Sequence, residues 1–119
     1  GAAPSTTTSG RAAGGETMPS EPSGTAVVGL CQMDLQFPSA ASLKDKRRVL
    51  QSLVARLRNE YNVSVAEVGH QETWQLSTVA VACVSSSGGY ARGLLEKVVQ
   101  AVENDHRDVV LLDYETELL

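Results

Sequence analysis

Aromatic side chains are scarce in this 119-residue chain: one Trp, three Tyr and one Phe. Modules that bind single-stranded RNA on an open sheet stack bases on aromatic residues. So few rings make that mode of binding unfavourable. Cysteine is nearly absent too, with only Cys31 and Cys83, which form neither a disulfide framework nor a metal-ligand spacing. A reduced cytoplasmic protein is the expectation, with both thiols serving as small core hydrophobes. No stretch approaches the ~18 consecutive apolar residues of a membrane-spanning helix. Positive charge is in deficit, with ten Lys and Arg against fourteen Asp and Glu, net −4. That balance argues against a general polyanion binder. It leaves room for a local basic patch, because charge acts over about 8–10 Å at physiological salt.

Residues 1–25 lack any hydrophobic period and consist largely of Gly, Ser, Thr, Ala and Pro, with only Arg11, Glu16 and Glu21 charged. Such a segment cannot offset an ordering entropy of roughly 1–2 kcal/mol per residue. It is expected to be a disordered tail, and its start at Gly1 instead of Met reads as the trace of a trimmed expression tag. Residues 26–119 form the domain, with nine basic and twelve acidic residues once Arg11, Glu16 and Glu21 are set aside.

Within the domain, hydrophobic period separates six elements. Ala26 to Gln36 alternates as a strand with Val27, Gly29, Cys31, Met33 and Leu35 facing the core. Ser42 fits a helix N-cap with Asp45 three residues on, the spacing of a capping box. Leu50, Leu53, Val54, Leu57 and Tyr61 give a helix over about Leu43–Glu60 its apolar stripe. Val63–Val68 and Trp74–Val84 read as strands around a turn, and the second is apolar on both faces, as suits an inner strand. A helix over about Tyr90–Asn104 buries Leu94, Leu95, Val98, Val99 and Val102. Val109–Leu118 closes the domain as a strand with Asp113, Glu115 and Glu117 on one face and Leu112, Tyr114 and Leu118 on the other. The order βαββαβ predicts an α+β, ferredoxin-like sandwich, a four-stranded antiparallel sheet with two helices on one face. Its first and third strands are then central.

Six of the ten basic residues lie between Lys44 and Arg58. Several crowd the first two helical turns, where the positive pole of the helix dipole disfavours cations. Helix stability alone would place them at the other end. Such a cluster suits an anionic partner held through phosphates. The candidate contacts are Lys44, Lys46, Arg47, Arg48, Arg56 and Arg58, with Lys46 and Arg56 to the side of the main face. The competing reading is a solvated helix face or a protein contact. The acidic last strand would repel a phosphate backbone, so RNA is expected along the helix and not on the sheet. A homodimer through the sheet or an edge strand is the alternative mode of association.

Signals for catalysis are weak. Glu67, His70 and Glu72 are close in sequence, but strand alternation puts Glu67 and His70 on opposite faces. No nucleophile–base arrangement, phosphate loop or paired metal ligands accompany them. The chain is therefore read as non-enzymatic, with no cofactor, metal or catalytic residue.

The stretch Ser42–Gln75 resembles the YlxP-like family of small bacterial proteins of unknown function. The resemblance rests on Ser42-Leu43-Lys44, Lys46-Arg47-Arg48, Ser52-Leu53, Arg56-Leu57-Arg58, Asn62 to Val68 and Trp74-Gln75, with Glu115-Thr116-Glu117 near the end. It departs at Glu72-Thr73, where relatives often have Asp followed by an apolar residue. The resemblance implies a ferredoxin-like fold. Family genes commonly lie near those for translation initiation factor 2 and ribosome-binding factor A, which implies ribosomal RNA, the ribosome or translation factors as partners.

Overall fold

A computed structural model of the chain describes residues 24–105 and 108–119. The reading of residues 1–25 as a tail falls largely outside them. Six elements follow in order: β1 (Val27–Gln36), α1 (Leu43–Glu60), β2 (Ser64–Gly69), β3 (Leu76–Ser85), α2 (Gly88–Glu103) and β4 (Val110–Leu118). The strands form one sheet in the order β2-β3-β1-β4, and every neighbouring pair is antiparallel. Both helices pack on one face of it, giving the expected ferredoxin-like βαββαβ arrangement with β1 and β3 inside.

Alternation along the two central strands builds the core. Cys31, Met33 and Leu35 of β1 and Val79, Val81 and Cys83 of β3 turn inward and meet Leu50, Leu53 and Leu57 of α1 and Leu95, Val98 and Val102 of α2. Gly29 occupies the same inward row. A Cβ there would lie 2.9 Å from Leu95 Cδ1 and 3.3 Å from Ala91 Cβ, so the bare backbone lets α2 approach the sheet closely. The other face of β3 carries the small Ala80 and Ala82 and then Val84, which is exposed. Its apolarity on both sides thus reflects an inner strand with an uncovered outer face.

The helix starts follow local chemistry. Ser42 caps α1, its Oγ accepting from the Asp45 N–H at 3.1 Å, while Asp45 Oδ2 accepts from the Ala41 N–H at 3.0 Å. Ser87 caps α2 in the same way, accepting from the Tyr90 N–H at 3.2 Å. The cap draws Gly88 and Gly89 into the first turn, so α2 begins two residues before its expected start at Tyr90. Strand β3 begins at Leu76 and not at Trp74: Phe37 still donates to the Gln75 carbonyl at 2.9 Å, continuing the register of the β1–β3 pair by one residue, and Trp74 lies half exposed in the connection.

A bulge alters the reading of β4. Asp34 pairs with Asp113 but Leu35 pairs with Leu111, so Leu112 is the extra residue. Leu111 packs against the core and Leu112 is exposed, the reverse of simple alternation.

Among the described residues, one charged side chain is buried within the core. Lys46 is fully buried, and its ammonium donates to Glu67 Oε2 at 2.9 Å, to the His70 carbonyl at 2.8 Å and to the Leu76 carbonyl at 2.9 Å. An ammonium has three donors, and all three are used. Glu67 Oε2 also accepts from the buried Ser77 hydroxyl at 2.7 Å. Residue 70 adopts a left-handed backbone, φ 58°, and its carbonyl also receives the Thr73 N–H at 3.1 Å. The reading of Lys46 as a phosphate contact is therefore corrected. It stands in the inward stripe with Leu50, Leu53 and Leu57 and pins α1 to the β2–β3 hairpin.

Removing one partner of a buried ion pair typically costs about 3–5 kcal/mol. Lys46→Met, which keeps the stem but leaves the Glu67 carboxylate without its cation and the Leu76 carbonyl without its side-chain donor, is expected to lower the unfolding free energy in urea by about that much. The double variant Lys46→Met, Glu67→Gln should recover part of the loss, because the stranded carboxylate is then gone. Burial raises the Cys31 thiol above its ordinary value of 9.0, opposed in part by a hydrogen bond with Thr116. As pH climbs past 9 the unfolded thiol ionises before the folded one, so stability falls with rising pH. Cys31→Ala should flatten that alkaline fall, read from urea midpoints between pH 8 and pH 10.

Candidate nucleic-acid interface

With Lys46 turned into the core, the 100° advance per residue of an α-helix sends its neighbours two positions away to the opposite side. Lys44, Arg47, Arg48, Gln51 and Arg58 accordingly share the outer face of α1, all exposed. Together Lys44, Arg47, Arg48 and Gln51 line an open hollow with no carboxylate in its wall. Gln51 was absent from the sequence-derived contacts. Its signal was present, because it lies one turn beyond Arg47 on the charged face.

The remaining cations differ in freedom. Arg48 approaches Asp45 Oδ1 only at 3.5 Å, within one helical turn and well exposed. Arg56 is tied to Asp105 at 3.0 Å, linking α1 to the chain just after α2. Arg58 donates to the Val65 carbonyl at 3.0 Å. Lys44 and Arg47 have no protein partner among the described residues. The structure thus gathers Lys44, Arg47 and Arg48 into one patch, leaves Arg56 and Arg58 at its margins and removes Lys46. The pole of the helix is occupied from within by Ser42 and the Asp45 carboxylate, so an anion would meet side chains more than free helix N–H groups.

A second hollow on α1 is lined by Arg48, Val49, Ser52, Leu53, Arg56, Asp105 and Asp108. Its two carboxylates oppose a phosphate, which makes the Lys44–Gln51 hollow the better anion surface. The outer sheet face is worse. Glu115 and Glu117 border Leu30 and Gln32, and Asp113 faces Asp34 across the β1–β4 pair. The Glu67–His70–Glu72 grouping does not assemble as an acid–base centre. Glu67 is held by Lys46 and Ser77, and His70 contributes its carbonyl to the same network. Among the described residues, no set of three or more His, Cys, Asp or Glu side chains converges as metal ligands, and no helix is long and apolar enough to cross a membrane.

The uncharacterised protein YlxP of Bacillus subtilis (strain 168) is 35% identical over 78 residues, covering 66% of this chain and 85% of YlxP. Among solved structures, the de novo designed protein Foldit4 overlaps 80% of this chain and 97% of its own, at a TM-score of 0.48 and 12% identity. Residues 28–116 match the model of the family described as protein of unknown function DUF503. The chain is therefore YlxP-like and belongs to the DUF503 family.

Proposed function

We propose that the protein is a non-catalytic module that holds the phosphate backbone of RNA, ribosomal RNA foremost, along the outer face of α1. The observation that carries this reading is the exposed group Lys44, Arg47 and Arg48 at the start of a helix whose own stability would favour fewer cations there. Arg58 and Arg56 extend the surface along the helix, each with one hydrogen bond already committed to the protein. Such contacts position a backbone and do not read bases. The overall net charge of −4 suits a local contact: the acidic sheet face repels the same polymer and limits its path to the helix side.

Each neutralised phosphate of a single strand contributes about −0.7 to the slope of log affinity against log salt. Three contacts through Lys44, Arg47 and Arg48 predict a slope near −2 for fragmented ribosomal RNA. The variant Arg47→Glu, Arg48→Glu, shown to be folded by circular dichroism, should lose the interaction. A wild-type slope near zero, or equal binding by the two proteins, overturns the reading.

A further inference from the structure

The sheet has two edges, and the chain treats them differently. On β2, pairing with β3 directs the backbone groups of Ser64 and Ala66 inward and those of Val65 and Glu67 outward. Both outward carbonyls are covered: Arg58 donates to Val65 O at 3.0 Å, and the Gln71 side chain donates to Glu67 O at 3.0 Å. That edge is also only six residues long and ends in a bulge at Val68. It is closed to a further strand.

On β4 the same alternation gives the opposite result. Leu119 donates to Val28 O at 2.7 Å, which sets the phase of the β1–β4 ladder. Asp113, Glu115 and Glu117 therefore bond to β1, while the N–H and C=O groups of Tyr114, Thr116 and Leu118 point away from the sheet. Among the described residues, only the Tyr114 N–H of this outward row meets a protein acceptor, the neighbouring Asp113 Oδ1 at 2.9 Å. The edge is nine residues long, with Val110, Leu112 and Tyr114 exposed beside it.

We propose that the free edge of β4 accepts, as a fifth antiparallel strand, an extended segment of a partner protein in which Lys or Arg alternates with apolar residues. The phase of the edge selects that chemistry. Residues opposite Asp113, Glu115 and Glu117 occupy the non-hydrogen-bonded pairs, whose side chains approach most closely across an antiparallel ladder. Cations there face three carboxylates on the outer sheet face, and the alternate apolar residues lie beside Tyr114, Thr116 and Leu118 on the helix side. A second copy of β4 would set carboxylates against carboxylates, which disfavours self-pairing. Residues 1–23 hold one cation, Arg11, against Glu16 and Glu21, and so lack the matching charge. The docking uses main-chain bonds for affinity and side-chain alternation for selection, on the face of the molecule away from the α1 cations.

The test uses two synthetic peptides, alternating Lys and Val or alternating Glu and Val, added to the full chain. The Lys/Val peptide should bind roughly tenfold more tightly, and slow hydrogen exchange at the Thr116 and Leu118 amides. The variant Glu115→Lys, Glu117→Lys changes exposed side chains only and should invert the preference. Thr116→Pro removes an outward donor without removing a β1 bond and, if circular dichroism shows it folded, should abolish binding of both peptides. Equal affinity for the two peptides, or binding without protection at Thr116 and Leu118, overturns the proposal. Concentration-dependent dimerisation that protects the same amides without peptide also overturns it, in favour of a second copy of the chain.

Discussion

The buried ammonium of Lys46 ties the inward stripe of α1 to both strands of the β2–β3 hairpin and to the turn between them. It takes its acceptors from the side chain of β2, the turn carbonyl of His70 and the first carbonyl of β3. A charge removed from water is costly unless fully paired, so those three groups can hold only one arrangement about it. The left-handed residue at His70 belongs to that arrangement, because it turns the carbonyl that Lys46 and the Thr73 N–H share. The rotation of α1 about its own axis is fixed by the same contact. With residue 46 facing inward, Lys44 and Arg48 lie far round the helix from it, and the basic surface is the geometric consequence of the buried pair.

Charge is segregated across the domain in a way the net value of −4 conceals. Cations occupy the outside of α1, while Asp34, Asp113, Glu115 and Glu117 share the uncovered side of the sheet. The two surfaces are separated by the core and carry charge of opposite sign. The sheet edges follow the same division of labour. Arg58, a member of the basic helix, closes the β2 edge, so one cation serves both the helix surface and protection against strand addition. Strand β4 receives no comparable cover and carries its acids at every second residue.

Much of this was legible in the residues. The apolar spacing Leu50, Leu53, Leu57 located α1 with the observed bounds, and alternation in β1 identified the inward row from Gly29 to Leu35. The double apolarity of β3 correctly indicated a central strand. Lys46 was misread because basic residues on both sides of it suggested one charged face. Its spacing of four, seven and eleven residues to Leu50, Leu53 and Leu57 marked it as inward, and Glu67, two residues after the inward Val65, marked its partner. Neither position is decisive alone, since long charged side chains often lie along an apolar stripe and end in water. Leu112 was misplaced for a different reason. A bulge changes the phase of a strand without altering its composition, so periodicity cannot detect it.

By itself, the sequence determined the order and type of the elements, the inner and outer rows of most strands, and the concentration of cations on one helix. Those properties follow from local rules of period, capping and turn chemistry, which act over a few residues. Only the tertiary structure decided which cations are free, which carbonyls are covered and which sheet edge is open. Each of those outcomes depends on groups brought together from distant positions, Lys46 with Glu67 and Leu76, Arg56 with Asp105, β4 with β1. A lysine in isolation reads as a surface charge. Three acceptors meeting at one buried point make it part of the core.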